Sequence, residues 1–369
     1  MGVEEEFVLV DRHSRQSVRR AREVVRAAKD AAGAEHVEPE MAQAQVENVS
    51  AVCHTAAELH AEVTRLRGST AAEAARAECL LVPSGTAVLG DVGPPPILDK
   101  PRYHTIERRF GPLVRQQCVN ACHVHIGVRD REESVQVVNH LRVWTPLLLA
   151  LSVNSPFCAG EDTGYASWRS MVWGRWPTCG PPPYLESAAH YEHVVGSLVD
   201  SGAAVDGGML YWHVRPSRHV PTVEMRVADV LPDVRDTVAY ALLVRALAAA
   251  CLDSVRSGAR SLPVPEAVLR AASWRAARYG MNSLLLATHR PAPVLAPAWS
   301  LVRELVASVL PHLERHGDSE IVRRWLELVH ARGTGAERQR AVARRHGGDL
   351  RAVVDDLAVA PSPPDGGVT

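Results

Sequence analysis

The chain has 369 residues, 46% of them apolar, which is long for one domain and ample for a sizeable core. Its 41 basic and 42 acidic residues leave a net charge of −1 with no block of like sign, so nothing in it asks for nucleic acid or an anionic membrane. Lysine occurs only at Lys29 and Lys100, neither in a Gly-rich turn, which excludes a P-loop and leaves arginines and metal ions to hold any nucleotide phosphates.

The first element is a strand, Gly2-Val3-Glu4-Glu5-Glu6-Phe7-Val8-Leu9-Val10. Alternation puts Glu4 and Glu6 on one face and Val3, Glu5 and Phe7 on the other. Two carboxylates this close repel each other and invite a cation, although an acidic edge strand in solvent is the plainer alternative. Ser17–Ala32 reads as a helix ended by Gly33, and a second strand is expected over Glu40–Val49. Helical segments follow at Thr55–Arg67, with Thr55 and Glu58 spaced as a capping box, and at Thr70–Glu78. Pro83–Pro101, rich in glycine and proline, is a long loop. A helix at Tyr103–Phe110, a strand at Gln116–Val128 and a long, increasingly apolar helix at Glu132–Val153 come next.

From Asn154 to Pro183 lies a Gly/Pro-bounded stretch in which Trp168, Trp173 and Trp176 alternate with Arg169 and Arg175. It can wall a ligand site or bury its aromatics as a satellite core. Tyr211–Pro216 and Thr222–Val227 read as two strands. Helices then dominate, at Ala241–Leu252, Pro265–Tyr279, Trp299–His312, Glu320–Leu328, Glu337–His346 and Leu350–Leu357, before a Pro/Gly-rich tail over 359–369 expected to be disordered. Strands concentrate before residue 230 and helices after it, which predicts an α+β fold. We expect one catalytic domain over 1–358, strand-rich to 230 and helical from 231.

The cysteines, at 53, 79, 118, 122, 158, 179 and 251, are odd in number and form no CxxC pair, a pattern suited to a reducing compartment. With no basic-then-apolar leader, and with the apolar runs Leu147–Val153 and Ala246–Leu252 too short to span a bilayer, a cytoplasmic location is expected.

Several residues beside Glu4 and Glu6 can carry chemistry. Glu40 and Glu47 flank the second strand, and a bulge would bring them to one surface. His123 and His125 alternate on the third strand and share a face, a stronger ligand signal than a lone histidine. Cys118 and Cys122 suit zinc with them by residue type, but on a regular strand they point the other way, so a Cys2His2 site would need a bulge. Thr222, Glu224 and Arg226 share a face of the fifth strand, where glutamate beside arginine is either a structural ion pair or a metal ligand next to an anion-binding group. Arg215 and Arg169 add anion-binding capacity.

Gly2–Phe7, Gln45–Glu47 ahead of Ser50 and Cys53, His123–Val128, Asn154–Phe157, Thr163–Ser170, Thr222–Arg226 and Gly333–Arg340 together resemble the carboxylate–amine ligases of the glutamate–cysteine ligase type 2 family. The resemblance runs in order from residue 2 to about 357. It implies a glutamine-synthetase-like fold, a curved and mostly antiparallel sheet with helices on its convex side and ATP with Mg²⁺ or Mn²⁺ on its concave face. The implied reaction is ATP-dependent amide formation through an acyl phosphate, between small-molecule carboxylate and amine substrates, by a homo-oligomer. Position by position, it makes Glu4, Glu6, Glu40, Glu47, His123 and Glu224 the metal ligands, and Arg226 the residue facing the transferred phosphoryl group. Arg169, also catalytic, and Arg215 then bind the acid or ATP phosphates, with Tyr165, Asn154, Ser155 and Thr222 as further substrate- or ATP-binding positions. The chain departs from the family pattern at Ala121-Cys122, where Gly-Thr is usual, at Ser50 for threonine and at Ser217 for histidine, so the acid and amine stay open. Two other functions compete: a metal-dependent hydrolase of the amidohydrolase type, prompted by His123-x-His125 but needing a (β/α)₈ barrel, and a non-catalytic nucleotide-binding relative.

Overall fold

The computed structural model describes residues 1–32, 36–90 and 97–361. In chain order the elements are β1 (Gly2–Asp11), α1 (Ala21–Ala32), β2 (Val37–Pro39), β3 (Gln45–Val49), α2 (Ala56–Arg76), β4 (Cys79–Val82), α3 (Pro101–Phe110), α4 (Pro112–Arg115), β5 (Ala121–Gly127), α5 (Arg131–Leu141) and α6 (Thr145–Ser152). They continue with β6 (Phe157–Cys158), β7 (Glu161–Asp162), α7 (Trp168–Trp173), α8 (Ala188–Asp200), β8 (Val214–Pro216), β9 (Thr222–Asp229), α9 (Val234–Arg256) and α10 (Glu266–Tyr279). The last are β10 (Leu284–Leu286), β11 (Leu295–Pro297), α11 (Ala298–His316), α12 (Ser319–Arg332), α13 (Gly335–Arg345) and α14 (Leu350–Leu357).

Seven strands form one sheet in the order β2-β3-β1-β5-β9-β8, with β4 also paired to β1. Every pairing in it is antiparallel. The antiparallel sheet and the helical second half agree with the α+β expectation, and the (β/α)₈ barrel needed by an amidohydrolase is not what the described strands build. β1 is central because it alternates a polar and an apolar face. Val3 joins a large core with Cys122, Val124, Val223, Met225 and Val227 beneath α6 and α9, while Phe7 and Leu9 pack under α1 and α2. The start of β1 is pinned as well as paired: Ser50 Oγ accepts from Val3 N at 2.8 Å, and Met1 and Cys53 exchange main-chain hydrogen bonds.

On the opposite face the second half of β1 is not open. Val8, Val10 and Val82 are buried against Val342, Val353, Val354 and Leu357 of α13 and α14. Helices therefore pack on both faces, and the C-terminal pair limits the exposed acidic surface to the first half of β1. Glu5, facing the core, is satisfied there by Arg67, whose Nη2 and Nε lie 2.6 and 3.0 Å from its carboxylate, and by the Thr237 hydroxyl at 2.7 Å.

Several boundaries differ from expectation, for local reasons. The two segments expected at 55–67 and 70–78 are one helix, α2, since Gly68 sits within it without breaking it, and Glu58 accepts from His54 N while Thr55 caps Glu58 N. The helix expected over 132–153 breaks at Arg142–Trp144, ahead of Pro146, because proline cannot continue the hydrogen-bond ladder. Of the strand expected at 40–49 only Gln45–Val49 is strand, as β3; residues 40–44 form the connection from β2, which lies ahead of the expected range. Helix α8 and strands β4, β10 and β11 have no counterpart among the expected elements. Gly33, residues 91–96 of the long loop and 362–369 of the expected disordered tail lie outside the described residues.

Helix α9, longer than the expected 241–252, is the one helix among the described residues long and apolar enough to cross a membrane. Its residues 236–248 are buried, mostly against α11, α5, α2 and α12 within the main core, so its apolarity is spent there.

Candidate active site

Pairing sets the floor of the site. Glu4 lies opposite His123, Glu6 opposite Glu47, and His125 opposite Glu224, so acids and imidazoles from four adjacent strands meet on one face. They line a cavity of about 380 Å³ together with Glu40, Arg169, Arg215 and Arg226. Glu40 comes from the turn between β2 and β3, which does the work expected of a bulge. A bulge does occur in β5, between Cys122 and Val124, but it brings no cysteine to the cavity. Cys122 stays wholly buried in the core and Cys118 packs against the β1–α14 cluster, which overturns the Cys2His2 reading.

Glu4 holds both imidazoles, with Oε2 2.9 Å from His123 Nδ1 and Oε1 3.2 Å from His125 Nε2. Burial alone would raise the pKa of Glu4, but hydrogen bonds from the two histidines outweigh it and keep this carboxyl well below the usual range. Burial, aided by the cationic Arg226, lowers His123 to about 4, so its ring is neutral at physiological pH and able to donate a lone pair. Glu6 accepts from Ala121 N at 2.6 Å, yet burial and the nearby Glu40 push it up to about 8. Glu47 is likewise held well above the usual carboxylate range by burial and by repulsion from Glu40, Glu4 and Glu6.

Glu224 behaves differently because β8 and β9 surround it with cations. Arg215 Nε donates to it at 2.8 Å and Arg226 Nη1 donates to its other oxygen. Burial opposes ionisation, but Arg226 and Arg215 hold Glu224 strongly ionised, and Glu224 in turn holds Arg226 charged despite its burial. Arg215 is fixed by the carbonyls of Gly208 and Leu210, and Arg169 by those of Arg226 and Val227.

Three groups of donors stand close enough to share a cation: Glu6, Glu40 and Glu47; Glu4, Glu47 and His123; and Glu4, His125 and Glu224, with ligand atoms within 4.8 Å of one another in each. All six residues read from the sequence as metal ligands are here. His125 joins them; its position on the face of His123 was the signal for it. Oxygen donors predominate, which suits a hard divalent cation over zinc, and acids whose burial and mutual repulsion disfavour their charged forms are what a cation would relieve.

Four sequence-assigned binding positions lie outside the cavity. Thr222 spends its hydroxyl on His125 Nδ1 at 2.9 Å. Asn154 is buried and bridges Pro83 O, Val230 O and Gln339, while Ser155 donates to Asp229. Tyr165 packs on Trp168 and beneath Arg278. The Trp-rich stretch divides: Trp173 lines the cavity, Trp176 is buried in a satellite core with Phe110 and Tyr211, and Trp168 lies against Tyr165. At the rim, Arg102, Tyr103, Tyr211, Arg218 and His219 also line the cavity. Arg102, Tyr103, Arg218 and His219 come from a helix start or a bend, where no periodicity singles them out, and Tyr211 lies just ahead of β8, in a stretch expected as strand but not read as functional.

Comparison with known proteins agrees. The model of "Glutamate-cysteine ligase family 2" matches residues 1–356. A Saccharopolyspora erythraea protein provisionally named glutamate–cysteine ligase 2-1 is 45% identical over 98% of this chain and 95% of its own. A Mycobacterium sp. (strain KMS) protein provisionally named glutamate–cysteine ligase 2-2 is 42% identical over 98% of each. Among solved structures, the Francisella tularensis glutamate–cysteine ligase in complex with AMP superposes with a TM-score of 0.73 at 13% identity, over 96% of this chain and 86% of that one. A bifunctional glutathione synthetase from Pasteurella multocida gives 0.64 at 14% identity, over 96% and 51%.

Sheet, acid-lined cavity and relatives define a class, the carboxylate–amine ligases, which join an acid to an amine through a carbon–nitrogen bond. Within it the chain belongs to glutamate–cysteine ligase family 2.

Proposed function

We propose that the protein forms an amide bond between a small carboxylic acid and an amine at the expense of ATP, through an acyl phosphate. The observation that carries this reading is the cavity that brings five glutamates, His123 and His125 together with Arg226, Arg215 and Arg169. A surface of that kind suits a polyanion delivered with cations, and the AMP complex of the Francisella relative supports nucleotide use.

Glu4, Glu6, Glu40, Glu47, His123 and Glu224 would hold Mg²⁺ or Mn²⁺, with His125 as a further candidate. When bound, such ions supply charge neutralisation at phosphate oxygens. The chain's own groups do the rest. Arg226, clamped by Glu224, presents a fixed positive charge to the phosphoryl group as it moves from ATP to the acid's carboxylate. Arg169 and Arg215, each held by main-chain carbonyls, orient phosphates or the acid with little side-chain freedom to lose. The amine then attacks the acyl carbon and phosphate leaves. Neutral His123 and ionised Glu4 are suited to ligation rather than to proton transfer. The cytoplasmic location and the homo-oligomer expected from the sequence remain part of this proposal.

The test is a screen of acids and amines with ATP and Mg²⁺, reading ADP and product mass. ADP should form only when both partners are present, and Glu4→Ala and Glu224→Ala should abolish it. MgATP binding with no turnover in a broad screen would instead favour the non-catalytic relative.

A further inference from the structure

Three stretches that carry the family resemblance, Asn154–Phe157, Thr163–Ser170 and Gly333–Arg340, place no side chain but that of Arg169 in the cavity. They converge instead on Asp229, the last residue of β9, which is completely buried and lies three residues beyond Arg226. Its carboxylate accepts from Asn154 N at 2.8 Å, Ser155 Oγ at 2.7 Å and Ser167 Oγ at 2.7 Å, and Arg169 Nη1 stands 3.9 Å away.

Two of those serines set the first turn of α7. Ser167 is its N-cap, accepting from Ser170 N, and Ser155 Oγ accepts from Arg169 N at 3.0 Å. Asn154 is held from behind by Gln339 of α13, whose Nε2 donates to both its carbonyl and its side-chain oxygen, and Gly335 packs so close that a Cβ there would lie 2.3 Å from Asn154 Oδ1. Gly85 closes the other side: a Cβ there would meet Ser155 at 2.9 Å and Asp229 at 3.0 Å. One carboxylate thus joins the strand that carries Glu224 and Arg226 to the helix that carries Arg169.

We infer that Asp229 is a positioning residue for Arg169: by gathering Asn154, Ser155 and Ser167 it locks the first turn of α7 to β9 and aims the Arg169 guanidinium into the cavity. This rests on the proposed role of Arg169 toward ATP or the acid. Asp229 itself is not among the residues lining the cavity, so its effect must pass through Arg169.

The experiment is a double-mutant cycle on the full chain with Asp229→Asn and Arg169→Ala, reading MgATP affinity by calorimetry, with Mn²⁺ affinity as a control on the acidic floor. Each single variant should weaken MgATP about tenfold, and the double variant should be no weaker than Arg169→Ala alone, because coupled groups do not add. Mn²⁺ affinity should stay within about twofold of wild type, since no metal-ligand candidate is altered. Independent effects that multiply, or an Asp229→Asn variant that binds MgATP as wild type does, would overturn the inference. If Asp229→Asn does not fold, Ser167→Ala takes its place in the same cycle. If the wild type binds no MgATP, the ligase reading fails and a crystal structure of the variant decides this one. Arg169 leaving the carbonyls of Arg226 and Val227 supports it, and an unmoved guanidinium overturns it.

Discussion

Loading the floor of the cavity with a divalent cation should expel protons. Without metal, Glu6 titrates near 8 and Glu47 well above the ordinary carboxylate range, because burial and the crowding of Glu40, Glu4 and Glu6 penalise their charged forms. At pH 7 a carboxyl with a pKa of about 8 is roughly nine-tenths protonated, so the cation must displace about one proton from Glu6, and Glu47, raised in the same direction, adds to the release. His123, neutral above about 4, and Glu4, already ionised, contribute none. The metal binds the charged carboxylates, so affinity rises with pH and levels off only above both pKa values. Each displaced proton changes apparent affinity about tenfold per pH unit, so lowering pH from about 7 to about 6 should weaken Mn²⁺ binding at least on the order of tenfold, the share that Glu6 alone sets. Calorimetry of Mn²⁺ binding at pH 7 in two buffers of different ionisation enthalpy counts the protons directly. Release of less than about half a proton, or an affinity flat from about pH 6 to about pH 8, would refute the electrostatic description of the floor.

Three further outcomes follow from the same geometry. Because the folded-state pKa values of Glu6 and Glu47 are raised, the stability they contribute is present below the unfolded carboxylate pKa and lost as pH rises, for Glu6 through about 8; thermal melts without metal should therefore fall between about pH 6 and about pH 8, and Mg²⁺ should recover more at the higher pH. Arg67→Ala strands the buried Glu5 carboxylate and should cost about 3–5 kcal/mol in urea unfolding, while Mn²⁺ affinity under native conditions stays near wild type. Arg226→Ala removes the cation that faces the proposed phosphoryl path and should cut ADP formation by about a hundredfold or more with metal binding retained; turnover within about threefold of wild type would contradict its assignment.

The site was legible in the sequence wherever a strand carried it. Glu4-x-Glu6, His123-x-His125 and Glu224-x-Arg226 are period-two patterns, so alternation alone puts each pair on one face, and antiparallel pairing then sets them opposite one another. Glu40 and the rim residues Arg102 and Arg218 lie in turns and at helix ends, where no period operates. Asn154, Ser155 and Tyr165 show a different failure. Resemblance marked them as binding positions, but a motif does not say whether its residues touch a ligand or hold one that does. In the fold, the cut at Arg142–Trp144 was readable from Pro146, whereas the packing of α13 and α14 on the polar face of β1 depends on contacts about 340 residues apart in the chain and leaves no local trace.

The most direct test of the ligase chemistry follows the oxygen atoms. With an acid that supports turnover, labelled with ¹⁸O in its carboxylate, an acyl phosphate requires one labelled oxygen to leave with the displaced phosphate. The account predicts ADP together with ¹⁸O-labelled phosphate in equal amounts. Label recovered in AMP, or phosphate carrying only unlabelled oxygen, would contradict it.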